Sequence, residues 1–313
     1  MNKYKEVLET SQPLTLPRDP DRQRLWRAAL KIPMYSVAVL PIAGGTALAW
    51  YRHGQIHLLP FGLFLMASVL ILVWMNISND VFDATTGIDV HKHHSLVQLT
   101  GQPQRLLTLA HACLLTGVAC VVAISWWQRD PVVVGLVLLC CLLGYTYQGP
   151  PFRLGYLGLG EPICFVCFGP LAIQAVYYSQ TQQWSMAIVP LSLLVGLTTT
   201  LILFCSHFHQ VSDDVAAGKR SPVVRLGSRR AAQCIPVSCA LFFGGLLVFV
   251  ALGWLPWWTG MALLSVPWAY RLSRLLLTQH DQPQAIGHSK FIAVSLHFWS
   301  GLGLCLGLVL GRL

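Results

Sequence analysis

The densest group of carboxylates in this 313-residue sequence is Asp80, Asp83 and Asp89, directly after the apolar stretch 58–75. We name residues 76–89 the first acidic segment. A carboxylate costs roughly 3 kcal/mol at the centre of a membrane and almost nothing at the interface, so we expect these acids where a transmembrane helix emerges. Asp80 and Asp83 share one helical face. Two carboxylates this close repel each other unless a cation lies between them, and a hard divalent ion fits best.

A second polar stretch, residues 206–227, contains Asp213 and Asp214 followed by Gly218 and Lys219. We name it the second acidic segment. Each segment has an acid at a predicted helix end, then a glycine four residues later, then a basic residue. Repeated halves with polar sites at their junction are common in helical membrane proteins. Five of the 12 acidic residues fall in these two segments, which favours one shared site.

Each cation near these acids has two possible roles, which are to bind an anionic ligand or to anchor the chain at the membrane surface. Arg153 is the only cation in the loop 145–161, which is rich in glycine, proline and tyrosine. One interpretation is an interfacial aromatic belt; the other is that Arg153 binds a phosphate while the rings line an apolar or cationic intermediate. Lys92 leaves the same choice open between a surface lysine and a phosphate ligand. For Lys31, which precedes the first apolar run, we favour a membrane anchor.

The composition indicates the kind of protein in which these residues act. Aliphatic, aromatic and Cys residues make up 55% of the chain, charged residues 11%, and the mean hydropathy is +0.59. These values are typical of a polytopic membrane protein. We predict an all-α bundle with a polar N-terminal tail (1–31) that carries an interfacial helix, and a single transmembrane domain (32–313). Apolar runs predict nine transmembrane helices, near residues 33–50, 58–79, 105–125, 131–147, 160–178, 187–207, 233–252, 254–273 and 289–310.

Lys and Arg are unevenly distributed over the two faces that nine helices define. The face with the N-terminal tail and both acidic segments holds 18 of the 21, and the other face holds Arg52, Arg129 and Arg312. By the positive-inside rule, the N-terminus and the acidic segments are cytoplasmic. The net charge of +9 therefore belongs to one face, where it attracts anionic lipid. Nucleic-acid binding is not expected, because the sequence has no basic, aromatic-rich soluble module.

Acids and cations lie on one face, above helices rich in aliphatic and aromatic residues. This arrangement predicts a ligand that has a charged head and an apolar tail. A polyisoprenyl diphosphate fits, with its head held by a divalent metal and its tail between the helices. Neutralising the diphosphate makes it a leaving group, and the allylic cation that remains alkylates an electron-rich acceptor.

The run from Asn76 and Asn79 through Asp80 and Asp83 to Gly87 resembles the first aspartate-rich motif of the UbiA-type intramembrane prenyltransferases. The stretches 147–161 and 207–227 are similar to the other two signatures of the branch that prenylates 1,4-dihydroxy-2-naphthoate in cyanobacteria and plastids. The resemblance covers about residues 26–305.

This resemblance implies a nine-helix bundle in a bacterial inner or thylakoid membrane, with its active site at the cytoplasmic face. It implies Mg²⁺-dependent transfer of a phytyl or longer chain to dihydroxynaphthoate with loss of CO2, towards phylloquinone or menaquinone. The implied metal ligands are Asp80, Asp83 and Asp214. The implied phosphate partners are Lys92, Arg153, Lys219 and Arg225. Further implied substrate contacts are Asn76, Asn79, Asp89, Tyr145, Tyr147, His209, Gln210 and Asp213.

One departure from the family pattern concerns the second motif. Many relatives have Asp-x-x-x-Asp, whereas Gln210 stands at the first of these positions and Asp213 precedes Asp214. Neighbouring residues on a helix diverge by about 100°, so we expect only one of the two acids to bind metal. Homogentisate, chlorophyllide and 4-hydroxybenzoate stay open as acceptors. Two functions outside prenyl transfer also stay open: a transporter, which needs ionisable residues near the midplane, and a non-catalytic lipid-binding scaffold.

Overall fold

The structure is a computed structural model that describes residues 25–27, 29, 31–86, 88 and 95–313. All regular elements in this part of the chain are helical. Asp89, Lys92 and most of the predicted tail lie outside the described residues. The longer helices are α1 (Ser36–His53), α2 (Leu58–Ala84), α3 (Pro103–Gln128), α4 (Val132–Gln148), α5 (Gly160–Thr181), α6 (Val189–Ser206), α7 (Ser228–Ala251), α8 (Val266–Gln279) and α9 (Ser289–Leu310). Short helical turns occur at Ile32–Tyr35, Leu96–Thr100, Leu154–Leu157, Met186–Ile188, Val211–Ala216, Pro222–Leu226, Trp257–Ser265 and Pro283–Ile286.

Seven helical segments of the described chain are long and apolar enough to cross a membrane, namely those that contain α1, α2, α3, α5, α6, α7 and α9. The other two predicted runs are also helical. Of these, α4 is an apolar helix of 17 residues. The second, α8, follows the 3-10 segment Trp257–Ser265 and carries Arg271 and Arg274. The all-helical prediction is thus confirmed, with seven candidate spans.

Helix α2 extends farther than its apolar run predicts. It continues to Ala84, five residues beyond the predicted end, so Asp80 and Asp83 lie within its last two turns. The hydroxyls of Thr85 and Thr86 then donate to the carbonyls of Phe82 and Asp83 and end the helix. Hydropathy does not detect this extension because the last turns are polar but still helical. The two acids are therefore held on a rigid element.

Small residues let the helices of the second half approach closely. A Cβ at Gly169 in α5 would lie 2.6 Å from the carbonyl oxygen of Ser192 in α6. Gly169 lies in the π-helical turn Cys167–Leu171, which also contains Pro170 and so lacks one backbone donor. In α9, a Cβ at Gly307 would lie 2.4 Å from the Thr259 backbone. Such close contacts are common in membrane bundles.

The helices surround a central cavity. α2, α3 and α4 share one apolar cluster, while α6, α7, α8 and α9 share another. α1 and α5 pack between these groups and contribute to a third cluster with α6, α7 and α9. The cavity between the two groups is lined by residues of α1 to α6. The first acidic segment includes the end of α2 and the second begins at the end of α6, and both helices line the cavity.

Candidate active site

The central cavity has a volume of about 260 Å³ and is apolar over most of its length. Phe64, Val121 and Ala175 lie in its apolar part, and Asn76 and Asn79 introduce amide groups near the acidic segments. Along α2, the 15 residues from Phe64 to Asn79 correspond to about 22 Å. The cavity therefore offers an elongated apolar space that ends in polar side chains.

Asp80 is buried at this polar end and contacts two separate segments. Its Oδ1 lies 3.4 Å from Lys31 Nζ, and its Oδ2 accepts a hydrogen bond of 3.2 Å from the backbone N–H of Leu96. Leu96 begins the short helix Leu96–Thr100. The sequence favoured a membrane anchor for Lys31, whereas the structure places its ammonium group beside the first acidic segment. Asp80 thus connects α2 to the chain on both sides of it.

Asp83 lies one turn farther along α2 and faces neutral donors. Gln148, at the end of α4, donates a hydrogen bond from Nε2 to Asp83 Oδ1. The hydroxyl of Tyr156 lies 3.5 Å from the same oxygen. Neutral donors stabilise a carboxylate without cancelling its charge. These two contacts link the Asp83 carboxylate to the end of α4 and to the loop 145–161.

In the second acidic segment, Asp214 belongs to a buried group of four charged or ionisable side chains. Asp214 Oδ1 lies 3.4 Å from Lys219 Nζ, and Oδ2 lies 3.3 Å from His207 Nδ1. His207 Nε2 lies 3.4 Å from Glu161 Oε1. All four residues are less than one-tenth exposed. We call Glu161, His207, Asp214 and Lys219 the buried tetrad.

The contacts within the tetrad set the pKa values of two members. Burial alone would raise the pKa of Asp214, but the contact with His207 and the charge of Lys219 hold it below its usual value. Burial would lower the pKa of His207, but its contacts with the carboxylates of Asp214 and Glu161 hold it above its usual value. Both shifts favour a charged Asp214–His207 pair.

Tyr156 joins the two acidic segments. Its hydroxyl is 2.7 Å from Thr86 Oγ1 and 3.5 Å from Asp83 Oδ1. Its ring centroid lies 5.9 Å from Arg153 Cζ and also 5.9 Å from Lys219 Nζ, within the range of cation–π contacts. Lys219 in turn contacts Asp214. The two segments therefore meet at one end of the bundle, as a shared site requires.

Two tyrosines of the loop 145–161 have different surroundings. Tyr147 lines the cavity, and a Cβ at either Gly155 or Gly160 would lie 2.7 Å from its ring. These glycines let the loop close against the ring. Tyr145 instead donates a 2.7 Å hydrogen bond to the carbonyl of Pro150 and meets Phe82 edge to face. Tyr147 is thus the one of the two that faces the cavity.

The remaining predicted residues of the second acidic segment lie at its edge. Asp214 is fully buried, whereas the neighbouring Asp213 is partly exposed. His209 and Gln210 are also partly exposed, and the Gln210 carbonyl accepts from the backbone N–H of Asp214. Arg225 donates to the backbone carbonyls of Leu157 and Arg220, so it links the loop 145–161 to this segment. Its predicted phosphate contact stays a prediction.

Three residues near the acids were missing from the sequence-based site: Glu161, His207 and Tyr156. Glu161 and Tyr156 stand in the stretch 147–161 and His207 in the stretch 207–227, both of which carry the family resemblance. The sequence holds a usable signal for Glu161, because it is the one acid in a glycine-rich loop next to an apolar run. It holds none for the pairing of Glu161 with His207, which are 46 residues apart.

The oxygen ligands at this end suit Mg²⁺ bound together with a diphosphate. Within the described residues, no three His, Cys, Asp or Glu side chains form a group that could hold a metal alone. Mg²⁺ is usually bound by one or two carboxylates plus substrate phosphates rather than by an all-protein cage. Asp83 and Asp214 supply carboxylates from two sides, and Lys219 and Arg153 supply cations. The residues therefore fit a metal–diphosphate group.

A helical membrane bundle whose apolar cavity ends at amide side chains, beside buried carboxylates and cations, defines a class of intramembrane proteins for amphiphilic anions. The chain belongs to the UbiA prenyltransferase family, whose model matches residues 38–301. It is 48% identical to the 2-carboxy-1,4-naphthoquinone phytyltransferase of Synechocystis sp., over 95% of this chain and 97% of that protein. It is 40% identical to the chloroplastic protein of the same name from Arabidopsis thaliana, over 94% and 78% of the two chains.

The fold is similar to that of a solved structure from Archaeoglobus fulgidus, described as a UbiA homolog bound to GPP and Mg2+. The TM-score is 0.53 and the sequence identity 16%, over 91% of this chain and 99% of that one. The family model and the two sequence relatives confirm the family membership that the three motifs indicate.

Proposed function

We propose that this protein is a prenyltransferase that transfers a phytyl or longer isoprenyl chain from its diphosphate to 1,4-dihydroxy-2-naphthoate. The acceptor loses its carboxylate as CO2, and the product leads to phylloquinone or menaquinone. The observation that carries the proposal is the apolar cavity that ends between two acidic segments. The names of the Synechocystis and Arabidopsis relatives support the choice of a naphthalene acceptor.

The proposed site divides into a head region and a tail region. Asp80, Asp83 and Asp214 would hold Mg²⁺ with the diphosphate, and Asn76 and Asn79 would add oxygen and amide contacts. Cations bind the phosphate oxygens, and the apolar part of the cavity takes the chain. The proposed phosphate partners are Lys92, Arg153, Lys219 and Arg225. The proposed contacts to the acceptor and the surrounding substrate are Asp89, Tyr145, Tyr147, His209, Gln210 and Asp213.

Mg²⁺, when bound, neutralises the diphosphate so that it can leave. The cations Lys219 and Arg153 hold the departing group, because preorganised charges stabilise the charge that develops in a transition state. Tyr147 and the apolar wall exclude water from the allylic cation. The ring carbon that carries the carboxylate then attacks the chain. Loss of CO2 restores the aromatic ring, so this route needs no base to remove a ring proton.

The proposed topology has nine membrane crossings with the N-terminus and the active site at the cytoplasmic face. Residues 32–313 form one transmembrane domain after a polar tail, in a bacterial inner or thylakoid membrane. The excess of Lys and Arg on one side supports this orientation. Transport is less compatible with the structure, because Asp80, Asp83 and Asp214 lie at one end of the bundle.

The test supplies purified protein in detergent with Mg²⁺, labelled phytyl or geranylgeranyl diphosphate, and one acceptor at a time. We expect a prenylated, decarboxylated product from 1,4-dihydroxy-2-naphthoate, and no turnover with EDTA. Homogentisate, chlorophyllide and 4-hydroxybenzoate serve as the competing acceptors. Faster turnover of any of these three would replace the naphthoate assignment, and undiminished turnover in EDTA would exclude the metal role.

A further inference from the structure

His207 is held between two buried carboxylates by both of its ring nitrogens. Nδ1 lies 3.3 Å from Asp214 Oδ2, and Nε2 lies 3.4 Å from Glu161 Oε1. The imidazole is 4% exposed and the Glu161 side chain 12% exposed. A ring with a partner on each nitrogen cannot rotate without losing both contacts. Its orientation is therefore fixed by the two carboxylates.

The elements that carry these residues differ in rigidity. Glu161 belongs to the first turn of α5, and His207 directly follows α6, so both are attached to membrane-spanning helices. Asp214 belongs to the six-residue helix Val211–Ala216, outside the spanning part. A helix this short has little stability of its own. The contact with His207 is thus the side-chain link between Asp214 and the two rigid helices.

Within the described residues, the ionisable side chain nearest to the Glu161 carboxylate is His207, whose Nε2 lies 3.4 Å from Oε1. Neither carboxylate oxygen of Glu161 makes a hydrogen bond in that part of the chain. Burying a carboxylate costs free energy unless it is paired. The pairing that offsets this cost is the contact with His207. A buried acid retained with this single contact indicates a role that acts through the histidine.

We propose that Glu161 and His207 are positioning residues for Asp214, and that they orient its carboxylate so that Oδ1 faces Lys219 and the metal–diphosphate group. This inference rests on the proposed function, since it assigns Asp214 to the diphosphate head. Removing a side chain that orients a metal ligand commonly lowers the metal affinity about 10- to 100-fold. Neither residue lines the central cavity.

The test uses the full-length protein in detergent with Mg²⁺ and inorganic pyrophosphate as the probe. Thermal unfolding is followed as Mg²⁺ is titrated at fixed pyrophosphate, which gives the Mg²⁺ concentration for half of the maximal Tm increase. We expect this concentration to rise about 10- to 100-fold in Glu161→Gln and in His207→Asn. We expect the double variant to resemble the single ones, because residues that act as one unit are not additive.

His297 provides the matched control. It is a fully buried histidine in α9 whose Nδ1 lies 2.9 Å from Thr198 Oγ1, and it does not line the cavity. His297→Asn should lower the Tm without ligand and leave the half-saturating Mg²⁺ concentration within about twofold. Glu161→Gln, which preserves shape, keeps the test valid if His207→Asn does not fold.

Two outcomes would overturn the inference. One is that both variants lower only the ligand-free Tm, like His297→Asn, with unchanged Mg²⁺ titrations. The other is that wild-type protein shows no Tm response to Mg²⁺ with pyrophosphate, since Asp214 would then serve no such ligand. Failure of the proposed function looks different: the wild type would respond to the probe, and the variants would respond less, but no acceptor would be prenylated.

Discussion

The two acidic segments hold their carboxylates in different ways. In the first, Asp83 lies on a 27-residue helix and faces the neutral donors Gln148 and Tyr156. In the second, Asp214 lies on a six-residue helix and contacts two basic side chains, Lys219 and His207. The described contacts of Asp83 thus include two neutral donors on a long helix, whereas those of Asp214 are buried ion pairs on a short helix.

This difference has an energetic consequence. Removing one member of a buried ion pair leaves the other member's charge without its partner, which costs about 3–5 kcal/mol. Removing a carboxylate that faces neutral donors leaves groups that can bond to an amide instead. We therefore expect the two segments to contribute similarly to catalysis and very differently to stability.

The largest effect is expected for Asp214→Asn. Activity should fall about 100- to 1,000-fold, as it does when a group that stabilises transition-state charge is lost. The protein should also be destabilised by about 3–5 kcal/mol, because Lys219 and His207 lose a buried counterion. Steady-state kinetics and thermal unfolding in detergent measure the two effects. An unchanged Tm would show that the tetrad is not an ion-pair network.

Asp83→Asn should reduce activity about as strongly, by roughly 100- to 1,000-fold. Its Tm without ligand should change little, because an asparagine oxygen can still accept from Gln148 and Tyr156. The control is Asp130→Asn, at the turn between α3 and α4, where Tyr178 donates to the carboxylate. That variant should keep its Mg²⁺ dependence. Equal destabilisation by Asp83→Asn and Asp214→Asn would remove the contrast between the segments.

The sequence alone predicted the features that depend on local composition. Long apolar runs identified the helices, and α9 begins and ends where its run predicts, at Ser289–Leu310. Carboxylates are costly in an apolar chain, so their concentration in two segments identified the polar end. Both signals are local, or depend only on residue type.

The features that the sequence missed depend on three-dimensional proximity. Lys31 reaches Asp80 across 49 residues, and Tyr156 reaches Asp83 across 73. Many pairings of these residue types are compatible with the same composition. The end of α2 was placed too early because hydropathy falls before helical geometry ends. Asp213 and Asp214 could be separated by helical geometry, but only the packing decides which one is buried.

The tail region is the apolar part of the cavity, which lies away from both acidic segments. Ala67 is fully buried in α2 and lines the cavity 12 residues before Asn79, a distance of about 18 Å. Ala67→Leu should lower turnover of a 20-carbon donor about tenfold, because overpacking costs about 1–3 kcal/mol, and should affect dimethylallyl diphosphate less. Ala110→Leu, in α3 outside the cavity lining, is the matched control. Equal loss with both donors would contradict the tail assignment.

A smaller effect is expected where the two segments meet. Tyr156→Phe removes the hydroxyl that contacts Asp83 and Thr86 but keeps the ring near Lys219. A hydrogen bond to a charged group contributes about 1.5–3 kcal/mol, and the long contact of 3.5 Å with Asp83 belongs at the lower end, so we expect about a tenfold loss, mainly in the KM for the diphosphate. Tyr156→Leu, which also removes the ring, should lose more. If both variants match the wild type, Tyr156 does not join the segments functionally.

The smallest effect is expected for Asp213→Asn, which compares two neighbours within the second segment. The two side chains point about 100° apart on the short helix, and only Asp214 is fully buried. Charge interactions at a partly exposed site contribute about 1 kcal/mol or less, so activity should change less than about fivefold and the Mg²⁺ dependence should be retained. Rate and Mg²⁺ titration are measured beside Asp214→Asn. A loss as large as that of Asp214→Asn would mean that the metal–diphosphate group binds at the edge of the segment rather than at its buried side.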